Sequence, residues 1–166
     1  MTRSHEFFMK IAIEEARKGE SEGNVPVGGV LVKDGEIVVR GHNTVTSTLD
    51  LTAHGEAATL REAGLALGDV DLRGCTLYST MEPCPMCCGA IMVSRVSTLV
   101  LGARITEASG SKAFGGYRVE SMLDMALWRG DLELVTGVLL EECQEVRSAW
   151  RKQYPDRSVF GWRDQV

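Results

Sequence analysis

Several large classes of protein are excluded by what this chain lacks. No apolar run approaches the roughly 18 residues that a membrane span requires, so no membrane role is expected. There is no basic excess: 18 Lys and Arg stand against 23 Asp and Glu, a formal charge of −5. Proteins that live on phosphate backbones usually carry the opposite balance, because phosphate contacts dominate that affinity. Nucleic acid is therefore not expected as a partner, although a local patch can hide inside a net charge. The opening stretch "MTRSHEFFMKIAIEEARKG" has an acidic pair at helical spacing and does not read as a signal peptide, which makes the cytoplasm the expected location. Five cysteines, an odd number, then point to reduced thiols or metal ligands rather than a disulfide framework. Histidine is scarce, with only His5, His42 and His54. Neither a repeat nor a low-complexity linker interrupts the 166 residues, so one domain over 1–166 is expected, with 155–166 as a C-terminal tail or lid.

What is present reads as alternating helices and strands. Residues 5–19 have the spacing of an amphipathic helix, with Phe8, Ile11, Ala12 and Ala16 on one face. "GVLVKDGEIVVRG" has two β-branched runs around Asp34-Gly35, a strong hairpin signal. After the polar loop "HNTVTSTLDLT", residues 54–65 are spaced for a second helix that buries Ala57, Leu60 and Ala63. "GCTLYST" is a short strand, 85–94 a helix opened by proline, and "VSTLVLGA" a strand apolar enough to be covered on both faces. Residues 105–118 read as a Gly/Ser-rich loop, 119–128 as a helix, "LELVTGVL" as a strand and "LLEECQEVRSAWRKQY" as the last helix. The alternation predicts an α/β fold, a sandwich of helices on a sheet.

The chemistry concentrates in "MEPCPMCCGA", residues 81–90. Cys84 and Cys87 form a C-x-x-C pair at a predicted helix start, where the helix dipole favours thiolates. Alone, that spacing fits a redox pair as well as half of a metal site. Structural zinc sites usually add a second such pair, and this chain has none. His54, at the predicted start of the second helix, can join the two thiols as a third ligand. One His and two Cys leave a fourth tetrahedral position open for water, as in catalytic zinc sites. Glu56 stands two residues on, placed to hydrogen-bond that water without binding metal. H-x-E followed about thirty residues later by P-C-x-x-C is the zinc deaminase signature. Cys88 lies about 100° around the helix from Cys87 and should not reach the ion; with Cys75 and Cys143 it reads as a small buried hydrophobe.

"HGE" with "EPCPMC", together with "VPVGGVLVKDGEIVVRGHN", resembles the cytidine-deaminase-like superfamily over most of the chain. The resemblance implies a three-layer α/β/α sandwich around a mixed five-stranded sheet, a homodimer, one zinc per chain on His54, Cys84 and Cys87, and Glu56 as the catalytic proton shuttle. It also implies substrate contacts. Asn43 matches a family position that binds a ring carbonyl, and Phe114 is a stacking candidate. Gly55 stands where tRNA-editing members usually have alanine, as in fungal cytosine deaminases. In the tail, Trp162 can cover a planar ring and Asp164 can accept from an exocyclic amine. The expected reaction is hydrolytic deamination of a free nucleobase or similar small heterocycle, cytosine-like first, then guanine or an s-triazine analogue. The alternatives are a tRNA adenosine deaminase and a catalytically silent zinc protein, against which the intact Glu56 argues.

Overall fold

The computed structural model describes residues 3–105 and 114–157. Helix α1 (His5–Ser21) starts at Ser4, whose side chain accepts from the Phe7 N–H, a standard way of satisfying an orphan donor. Strands β1 (Gly28–Lys33) and β2 (Glu36–His42) pair antiparallel. Their two-residue turn places Asp34 at φ 51° and Gly35 at φ 78°, the paired positive values that match hairpin twist. Inside the stretch read as a polar loop, Val45–Thr48 forms a single helical turn, α2. Helix α3 (Gly55–Leu67) ends on Gly68 in the left-handed conformation. Then follow β3 (Cys75–Met81), α4 (Pro85–Val93), β4 (Thr98–Ala103), α5 (Val119–Met125), β5 (Glu133–Thr136) and α6 (Leu140–Gln153).

The five strands make one sheet in the order β2-β1-β3-β4-β5. β1 runs antiparallel to β2 and β3, while β3, β4 and β5 are parallel. The sheet is mixed and has helices on both faces, as the resemblance implies. On one face α1 and α6 bury Phe8, Met9, Ala12, Val146 and Trp150 against Val30, Tyr78 and Val100. On the other, α3, α4 and α5 bury Leu60, Ile91 and Leu123 against Leu31, Leu77 and Leu99. Cys75, Cys88 and Cys143 lie buried in these cores as small apolar groups. No helix among the described residues is long and apolar enough to cross a membrane.

Candidate active site

The site forms beyond the carboxyl end of β3, where two helices begin. His54 is the N-cap residue of α3 and Cys84 that of α4, and neither spends its side chain on capping. Pro85 takes the first position of α4, where its missing N–H costs nothing. The turn it opens puts Cys87 beside Cys84. Ligand atoms of His54, Cys84 and Cys87 all lie within 4.8 Å of one another, and His54 Nδ1 is 3.6 Å from Cys84 Sγ. Zinc bonds of about 2.3 Å to sulfur and 2.0–2.1 Å to nitrogen, at a tetrahedral angle, separate those two atoms by about 3.6 Å. The donors fit zinc by charge as well. Cys84 is drawn down to about 4, first by the hydrogen bond from Cys87, with burial opposing and His54 assisting. Cys87 is pushed upward, first by that same hydrogen bond and then by burial. Without a cation one thiol ionises at the other's expense, whereas a dication stabilises both thiolates. His54 is raised overall: burial lowers it, but the Cys84 hydrogen bond and the Glu56 charge prevail.

Glu56, in the first turn of α3, is 3% exposed. Burial, and next the negative charge of Cys84, raise its carboxyl above the usual carboxylate range. The Ser79 hydroxyl lies 3.3 Å from Glu56 Oε1 and 2.7 Å from the Met81 carbonyl. Glu56 faces a small cavity that it lines with Val27, Asn43, His54, Met81 and Cys84. Asn43 is buried there. Its backbone N–H donates to the Val27 carbonyl (2.9 Å), and its Oδ1 accepts from Val45 N–H (3.1 Å). The side-chain NH₂ thus remains for a ligand.

Gly55 also lines the cavity. A Cβ there would stand 2.6 Å from the Val27 carbonyl oxygen, so the missing side chain lets α3 approach the start of β1. Phe114 meets Tyr117 edge-on, with ring centroids 6.1 Å apart, and is not among the residues lining the cavity. Trp162 and Asp164 lie outside the described residues.

A supporting network was not anticipated from the sequence. Glu82, buried directly before Pro83, accepts from Arg104 Nη1 (2.7 Å), Val119 N–H (3.1 Å) and Ile105 N–H (3.2 Å). Arg104 also grips Glu120 with two bonds of 2.8 and 2.6 Å. The Tyr117 hydroxyl donates to the Pro83 carbonyl at 2.9 Å. The turn that presents Cys84 is thereby fastened to β4 and α5. The one signal in the sequence is an acidic residue wedged between a strand and a proline.

A family profile described as the cytidine and deoxycytidylate deaminase zinc-binding region matches residues 2–103. The chain is 42% identical over 148 residues to a tRNA-specific adenosine deaminase of Bacillus subtilis, covering 89% of each protein. It is 43% identical over 107 residues to a guanine deaminase of the same species, covering 64% of this chain and 69% of that one. A solved structure from work on A-to-I editing by tRNA:A34 deaminases at the wobble position superposes with a TM-score of 0.72 at 35% identity, covering 84% of this chain and 98% of the other.

These relatives correct two expectations. The free-nucleobase reading, cytosine-like before guanine, is outweighed, because the likeness that spans most of the chain is to tRNA-specific adenosine deaminases. The expectation of no nucleic-acid partner fails with it. The charge argument was a weak signal, because a net charge sums the whole surface and does not report the rim of one pocket. What stands is a zinc-dependent hydrolytic deaminase fold with a His-Cys-Cys cluster for one zinc. The chain belongs to the cytidine and deoxycytidylate deaminase zinc-binding family.

Proposed function

We propose that this protein hydrolyses adenosine to inosine at position 34 of a tRNA anticodon. The observation that carries the reading is the 42% identity to a tRNA-specific adenosine deaminase across 89% of both chains. A nucleotide in an anticodon loop is single-stranded, so its base can enter a closed pocket without a duplex being opened.

In this reading His54, Cys84 and Cys87 hold the zinc ion. Zinc in such a site supplies Lewis acidity that brings the pKa of water down to about 7. Glu56 takes the proton of the water that attacks C6 of adenine and passes it to N1. It then takes the remaining proton from the new C6 hydroxyl and delivers it to the departing amine, so that ammonia leaves and the C6–O bond replaces C6–N. Burial suits Glu56 to this exchange, because a carboxyl whose pKa is raised holds a proton more readily than an ordinary carboxylate while still able to release it. Asn43 offers its side-chain NH₂ to an acceptor on the base. Phe114, Trp162 and Asp164 are proposed as contacts of the RNA around that base.

We also propose the homodimer, through the exposed Val70 and Val93 beside the groove between α3 and α4. One domain in the cytoplasm, where anticodons are read, completes the proposal. The test is a panel: zinc-loaded protein is incubated with an A34 anticodon stem-loop RNA, free adenosine, guanine and cytosine. Inosine in the RNA alone is the expected result. Ammonia from a free base with no change in the RNA overturns the proposal.

A further inference from the structure

Asn43 is only as well placed as the strand end that carries it. Among the described residues β2 is an edge strand, with β1 on one side and no strand on the other. His42, its last residue, pairs with Gly28 and needs a second anchor. Helix α1 provides one. His42 Nδ1 is 2.9 Å from Glu15 Oε2, and Nε2 is 2.9 Å from Glu22 Oε2. The His42 and Glu15 side chains are only 11% and 13% exposed. Lys18 of α1, Arg40 of β2, and Arg61 and Glu62 of α3 line the groove around this group.

The contact is close in the backbone too. A Cβ on Gly19 would stand 3.1 Å from the His42 ring and 3.2 Å from the Asn43 carbonyl oxygen. The last turn of α1 therefore runs close beside the His42 side chain and the Asn43 carbonyl. We propose that His42, doubly paired with Glu15 and Glu22, is a positioning residue for deamination that sets the Asn43 amide against the base. It touches neither substrate nor metal ligands and acts through Asn43. The inference rests on the reading of Asn43 as a base contact and adds the device that holds it.

Two measurements test it. The first is amide hydrogen exchange, independent of activity. Asn43 N–H, bonded to Val27, and Val45 N–H, bonded to Asn43 Oδ1, should exchange about tenfold faster in His42→Gln as the strand end opens locally, while the Leu77 and Val100 amides of the central strands keep their protection. The second is a double-mutant cycle on an A34 stem-loop RNA. His42→Gln alone should raise KM by about tenfold with kcat within about twofold and zinc retained. In the Asn43→Ala background it should change nothing further, because a residue acting only through Asn43 has lost its target. Glu15→Gln, which keeps an acceptor, should act more weakly than Glu15→Leu, and the milder Glu22→Gln serves should His42→Gln not fold.

Unchanged exchange at Asn43 and Val45 overturns the clamp. A His42→Gln loss that persists undiminished in Asn43→Ala, or a silent Asn43→Ala, overturns its route to the base. A wild-type protein that leaves the RNA unedited refutes the substrate reading instead, and exchange then still decides the clamp.

Discussion

His54, Cys84 and Cys87 are presented by two helix starts braced from behind by a buried carboxylate–guanidinium network, whereas Asn43 sits at the end of an edge strand held by half-buried pairs. The first arrangement tolerates little movement, because a metal's ligand distances are fixed within about 0.2 Å. The second rests on side-chain pairs of His42, beside the residue proposed to contact the base. The difference teaches that the metal cluster and the proposed base contact are supported by separate contacts, so substitutions on the two sides should fail differently.

The largest break belongs to the ligands. Cys87→Ala should lose zinc and all turnover, while Cys88→Ala, in the core one residue on, should keep about one zinc per chain by elemental analysis. Next comes Glu56→Gln, which should keep zinc and fold yet lose at least 10²–10⁴-fold in kcat, the usual worth of a proton shuttle. Zinc-loaded Glu56→Gln with near wild-type turnover would remove Glu56 from the chemistry.

Behind the ligands, Glu82→Ala should cost about 3–5 kcal/mol in denaturant unfolding, since it strips a buried acceptor from Arg104 and from two backbone N–H groups. A variant as stable as wild type would show that Glu120 alone satisfies Arg104. A smaller effect is expected at Gly55→Ala, about 1–3 kcal/mol from the Val27 carbonyl clash, with no change in the ratio of RNA to free-base turnover. A change in that ratio would return Gly55 to the choice of substrate. Asn43→Ala should be smallest in stability and show itself chiefly as a KM raised by about tenfold.

The metal side was legible because each half of its information is short-range: H-x-E and P-C-x-x-C each lie within one helix start, and the two motifs together form a known signature. The Asp34-Gly35 hairpin was readable for the same reason. The single turn Val45–Thr48 falls inside a stretch that reads as a polar loop, since Ser and Thr there are weak helix formers. What could not be read spans the chain. Glu82 meets Arg104 and Val119 only after β4 and α5 have packed, and His42 meets Glu15 only once β2 lies beside α1. The Val27 carbonyl that crowds Gly55 is likewise distant in sequence. The charge of −5 misled about the partner because it averages over surfaces the RNA would never touch.

The central claim is that a tRNA adenosine is the substrate and Glu56 its proton carrier. The direct measurement is inosine at position 34, read by nucleoside mass spectrometry of an A34 tRNA after incubation with wild-type protein and with zinc-loaded Glu56→Gln. The account predicts near-complete conversion by the first and almost none by the second. Unmodified A34 in both, from zinc-loaded protein that releases ammonia from free guanine, would contradict it.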